Sequence, residues 1–195
     1  TLKAEKRSMD VKAKKLRREG FVTGNLFGRE IEGSIPLKFT KKEIEVLLKN
    51  NNKGSQVMLE LDGKTYDALI KEVDYNPLAH TVEEVDFQAL VSNEMVHSTA
   101  EIILENEEKV LSGVLQDELK EVAYKALPAD LVDKIKVDVA GMKIGDTLRV
   151  KDLEIAKNKN IHITTDLEAV IATVTPVHNV VPETETEAEE TAEEK

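Results

Sequence analysis

The chain has 195 residues, 41% hydrophobic and 4% aromatic, with no Cys and no Trp. That length holds one large or two small domains, and the lack of Cys excludes disulfides and thiolate metal sites. The net charge of −11 is unevenly spread. Residues 1–29 hold nine Lys/Arg against three Asp/Glu, whereas residues 183–195 hold one Lys against seven Glu. Because an electrostatic footprint is local, the basic segment matters more than the total. The core has to be built mainly from Val, Ile and Leu, a mixture that fits pleated sheets. No apolar run approaches the ~20 residues of a membrane span and no signal-peptide pattern is present, so the chain reads as cytoplasmic.

In chain order, the first predicted elements are a loop or arm and a short basic helix, KAKKLRRE, stopped at Gly20 and anchored by Leu16. Ile31, Gly33, Ile35, Leu37 and Phe39 then alternate as in a strand, with Pro36 marking an edge or an irregularity. Thr40 and Glu43 form a capping box for a helix from Lys41 to Lys49. Val57, Leu59 and Leu61 lead into Asp62-Gly63, a two-residue hairpin signal, and a strand returns from Lys64 to Val73. Asn76-Pro77 turns the chain into a last strand with Val85, Phe87, Ala89 and Val91.

The second half offers short alternating segments: Ile102 to Leu104, Val110 to Leu115, Leu119 to Tyr124, Ile135 to Val139, Thr147 to Val150 and Ala169 to Val174. Leu127 to Leu131 reads as one helical turn. Many short strands suggest a β-sandwich-like domain. The fold class expected is therefore mostly β in two domains. Residues 1–92 form a small β-barrel with helices, residues 93–178 a second β domain, and residues 179–195 a disordered acidic tail.

No catalytic constellation stands out. His80, His97, His162 and His178 are not at metal-ligand spacing, and there is no Walker A, no G-x-G-x-x-G and no G-x-S-x-G. The reading is a non-enzyme without cofactor, metal or small-molecule substrate. The strongest signal is Lys12, Lys14, Lys15, Arg17 and Arg18 within seven residues, preceded by Lys6 and Arg7 and followed by Phe27 and Arg29. Such a run is either a solvated face or a phosphate-binding surface. An aromatic beside it can stack on an RNA base, or simply pack in the core.

These residues resemble a known family. Lys14-Lys15-Leu16-Arg17, then Gly20 and Phe27-Gly28, are similar to the S-R-R-L-R…G…Y-G run of the bacterial large-subunit ribosomal protein L-twenty-five family, which includes the general stress protein Ctc. Asp86-Phe87 resembles that family's H-[IV]-D-F ending. Gly113-Val-Leu, Ala126 to Asp130, Ile135 to Val139, Ile144 to Val150 and Asp152-Leu153 follow in the order of its long, two-domain form. The resemblance spans about residues 3–178. It implies a 5S rRNA-binding protein of the large ribosomal subunit, monomeric off the ribosome, with neighbouring ribosomal proteins as further partners. The RNA-binding residues it implies are Lys6, Arg7, Lys12, Lys14, Lys15, Arg17, Arg18, Phe27, Arg29 and Asp86.

Several positions depart from the family pattern. Lys14-Lys15 stands for Arg, which loses the forked guanidinium geometry. Ala13 stands for Ser and Phe27 for Tyr, while Asp74 stands for Gln and Glu84 for His; the last two bring carboxylates toward the expected RNA face. The alternative reading is therefore a diverged stress-associated paralogue, with weak or lost 5S rRNA binding, that acts as a protein-interaction module.

Overall fold

The computed structural model describes residues 1–110 and 113–176; the acidic segment 179–195 lies outside the described residues. Two separate cores organise the chain. The first belongs to a closed six-stranded barrel. Its strands are β1 (Leu2–Lys6), β2 (Phe21–Phe27), β3 (Ser34–Thr40), β4 (Gln56–Leu61), β5 (Lys64–Asn76) and β6 (Thr81–Ala89), in spatial order β1-β3-β2-β6-β5-β4. Two parallel contacts, β1 with β4 and β2 with β6, close a sheet whose other pairings are antiparallel. Alternation along each strand sends Leu26, Leu37, Phe39, Leu59, Ile70, Val85 and Phe87 inward. Phe39 and Phe87 meet in a tilted pair with centroids 5.4 Å apart.

Helix α1 (Ala13–Arg18) ends before Gly20 and buries Leu16, as its spacing predicts. Helix α2 (Lys41–Asn50) begins with the expected capping box. The Glu43 amide donates to Thr40 Oγ1 and the Thr40 amide donates to the Glu43 carboxylate, both at 3.3 Å. Such a cap is worth about 1 kcal/mol. In the β4–β5 turn, Asp62 (φ 50°) and Gly63 (φ 77°) both take positive φ, the requirement of a type I′ hairpin.

Two corrections concern the start of the chain. The segment expected to be a loop or arm contains β1, whose Leu2 and Ala4 are buried in the barrel. Residues Phe21–Phe27, for which no strand was expected, form the central strand β2. Two smaller ones concern strand ends: Ile31 precedes β3 and Val91 follows β6.

The second core lies between two sheets. One is four-stranded, with order β10-β7-β9-β12, and the other three-stranded, with order β11-β13-β8. Their strands are β7 (Val96–Glu105), β8 (Val114–Asp117), β9 (Glu121–Ala126), β10 (Lys134–Asp138), β11 (Thr147–Arg149), β12 (His162–Ile163) and β13 (Val170–Thr175). Ala100, Val122, Tyr124, Val150, Ile171 and Ala172 are fully buried there. The Tyr124 hydroxyl accepts from the Val132 amide (2.8 Å) and donates to the Val132 carbonyl (2.6 Å), which satisfies a polar group inside an apolar layer. The expected helical turn is a 3-10 turn at Pro128–Asp130.

The loop between α2 and β4 joins the two units. Asn52 donates to Glu101, Ser55 Oγ donates to Asp133 at 3.0 Å, and Lys71 Nζ donates to the His97 carbonyl at 2.7 Å. At Gly54 the backbone has φ +90°, and a Cβ there would stand 1.9 Å from the Thr99 carbonyl oxygen. Gly54→Ala therefore meets both the left-handed penalty, about 1–2 kcal/mol, and a backbone collision between the units. The expected result is undocking with both cores intact. Small-angle scattering measures it as a larger radius of gyration, with amide protection in β4, β7 and β9 retained.

Candidate nucleic-acid interface

Helix α1 lies beside β2 at the barrel edge, with Leu16 turned inward and Lys12, Lys14, Lys15 and Arg18 exposed. Lys14 and Arg18 stand one turn apart on one face. Lys15 has Glu19 at 3.9 Å. Among the described residues, Lys12, Lys14 and Arg18 have no carboxylate within ion-pair distance. Three cations crowded on a six-residue helix and its N-cap, without an internal counter-charge, leave a local positive field in an acidic molecule.

The other cations named from the sequence are answered inside the protein. Lys6 pairs with Asp62 at 2.6 Å, and that hydrogen bond holds its ammonium above the usual lysine range. The Arg7 guanidinium donates to the Val11 carbonyl at 3.2 Å and so pins the turn that leads into α1. Arg29 lies 3.7 Å from Glu94. Phe27 is half-buried on β2, neither sealed in the core nor fully exposed.

Arg17 has the most elaborate surroundings. Its guanidinium meets the Glu83 carboxylate at 2.9 Å, the Glu84 carboxylate at 3.4 Å and the Glu83 carbonyl at 3.2 Å. Both glutamates reach it because β6 is irregular. Asp74 pairs with Glu84 and Tyr75 with Val82, so Glu83 is an extra residue opposite no partner. In a regular strand, neighbours 83 and 84 would face opposite ways; the bulge brings both to one side. Asn25 completes the cluster. Its side-chain amide donates to Glu84 (3.2 Å) and Asp86 (3.0 Å), and its backbone amide also donates to Asp86 (3.0 Å). Asn76 holds Glu83 at 2.7 Å.

The structure thus brings Arg17, Asp86 and Glu84 together beside α1 and leaves Lys6 and Arg29 in ion pairs of their own. Asn25 and Glu83 were not singled out from the sequence. Nothing in local spacing marks them, because their placement depends on the bulge and on the β2–β6 contact.

Comparison with known proteins matches both halves of the chain. Residues 2–87 match the model of the "Ribosomal L25p family", and residues 95–178 match "Ribosomal protein TL5, C-terminal domain". The chain is 32% identical over 190 residues to the large ribosomal subunit protein bL25 of Carboxydothermus hydrogenoformans, covering 93% of this chain and 94% of that one. It is 30% identical over 187 residues to the bL25 of Dictyoglomus thermophilum, covering 92% and 89%. It is 32% identical over 182 residues to that of Caldicellulosiruptor bescii, covering 91% and 89%. With similarity running almost end to end through a barrel and a second β domain, the chain belongs to the bL25 family of large ribosomal subunit proteins.

Proposed function

We propose that this protein is a component of the large ribosomal subunit in the cytoplasm, and that its barrel binds 5S rRNA with α1 laid against the phosphate backbone. The observation that carries this is the unanswered charge of Lys12, Lys14 and Arg18 on an exposed helix of a ribosomal-protein family member. These cations displace condensed counterions, so affinity falls steeply with salt, while the fixed barrel edge reads the shape of a folded RNA. The role is structural rather than enzymatic. Titration of 5S rRNA and an unrelated folded RNA at two salt concentrations tests it. Tight, salt-dependent binding to 5S rRNA over the control is expected, together with cosedimentation with large subunits. Equal, weak binding to both RNAs would favour the stress-paralogue reading instead.

In the free protein Arg17 is neutralised by Glu83 and Glu84. Glu83→Gln with Glu84→Gln keeps side-chain volume and hydrogen-bonding capacity but removes two like charges from the phosphate-facing side. The double variant is expected to bind 5S rRNA more tightly, with the slope of log affinity against log salt steeper by about 1–2 units. An unchanged slope would show that Arg17 does not face RNA.

A further inference from the structure

Away from α1, a second set of cations is assembled by register alone. In the four-stranded sheet, Lys125 on β9 is the cross-strand partner of His97 on β7 and of His162 on β12. All three are exposed on the outward face, while their strand neighbours Val96, Ser98, Tyr124 and Ala126 are buried. Three adjacent strands at about 4.8 Å spacing make a row about 10 Å long. Lys71 reaches this row from the barrel. It is the extra residue at the second irregularity of the β5–β6 pair, where Ile70 faces Phe87 and Glu72 faces Asp86, and its ammonium donates to the His97 carbonyl at 2.7 Å. Lys53 stands across the same cleft, a cavity of about 260 Å³ between the two units.

The carboxylates nearby do not cancel this charge. Glu121 answers Lys53 at 3.7 Å and Glu72 lines the cleft, but among the described residues Lys71 and Lys125 have no carboxylate within ion-pair distance. The Lys71 ammonium is pushed below the usual lysine range by burial and then by Lys53, against the pull of Glu72. The His97 imidazole is pushed below the usual histidine range by burial and then by Lys125 and Lys71. Like charges held together where the two units meet fit an anionic partner.

We infer that the row His97–Lys125–His162, extended by Lys71, is a second docking surface for an RNA phosphate backbone, separate from α1. The lysines supply charge. The imidazoles supply ring N–H donors on either side of Lys125. A sheet face with an extended line of donors suits a backbone, which is repetitive and anionic, better than it suits a single small anion. Because the row itself lies on the second domain, with only Lys71 reaching in from the barrel, either surface can fail alone.

The test uses the full chain with Lys12→Gln, Lys14→Gln and Arg18→Gln, so that the three unpaired cations at α1 no longer contribute. A generic RNA duplex is the probe, titrated at about 50 and 200 mM salt. Residual salt-dependent binding is expected. Lys125→Gln added to this chain should flatten the salt slope by about one unit, and Lys71→Gln with it by about two. The His97→Gln and His162→Gln pair should weaken binding with little change in slope. Lys125 is exposed, so its variant is informative even if Lys71→Gln disturbs the cleft. Absence of residual binding at the lower salt overturns the inference, and so does residual binding that Lys125→Gln leaves unchanged. Lost cosedimentation with large subunits alongside unchanged RNA binding would overturn it too, by assigning the row to a protein partner.

Discussion

Replacing Lys12, Lys14 and Arg18 by Gln together should reduce affinity for 5S rRNA by about 100-fold at 0.2 M salt and by more than about 1,000-fold at 0.05 M. The magnitude follows from counterion release. Each phosphate contact contributes about 0.9 to the slope of log affinity against log salt, so three contribute about 2.7, and the electrostatic contribution shrinks toward zero near 1 M. The same substitutions should leave the fold intact, because all three side chains are exposed and the helix keeps its buried Leu16. A titration across salt checks both magnitude and slope. A loss that is constant across salt would mean that these residues act through shape or hydrogen bonding. No loss would remove α1 from the interface.

The second large effect is on stability. Gly24 sits on β2 where that strand runs parallel to β6. A Cβ at this position would lie 2.0 Å from the Val85 carbonyl oxygen and 3.3 Å from the Phe39 ring. No rotamer relieves a collision between a Cβ and a backbone carbonyl. The strands have to part at the contact that also positions Asn25 against Asp86. Overpacking in a core typically costs about 1–3 kcal/mol, and a clash against backbone belongs at or above the top of that range. Gly24→Ala should therefore lose about 3 kcal/mol or more in denaturant unfolding of the barrel transition. The second β domain, with its own core, should unfold as before. A loss below about 1 kcal/mol would mean that β2 and β6 can separate freely.

Where information was local, the sequence was readable. Thr40 and Glu43 announced α2, Asp62-Gly63 announced the hairpin, and alternation announced β4, β5 and β6. What escaped depended on distant partners. β1 offers only Leu2 and Ala4 as a pattern, and its strand character comes from β3 and β4. β2 reads FVTGNLF, whose buried Thr23 and Gly24 interrupt any apolar alternation; Thr23 is tolerated inside because its hydroxyl donates to the Glu83 carbonyl at 3.3 Å. The site was legible in the same proportion. The exposed cations of α1 follow from a local charge run, whereas the clamp on Arg17 needs a bulge sixty-six residues away.

Barrel closure by β1 also sets a clock. Leu2 pairs with Leu59, so β1 is made fifty-seven residues before the strand that completes its pairing. At about 5–20 residues per second, that interval is roughly 3–11 s of synthesis. Parallel, non-local pairing of this kind is intrinsically slow and follows local hairpins such as β4–β5. For those seconds the cationic stretch from Lys3 to Arg18 is tethered to a strand with one edge still open. Variants that delay β4, such as a disrupted Asp62-Gly63 turn, lengthen this exposure. Their cost should therefore be read in yield and aggregation before it is read in the stability of the finished protein.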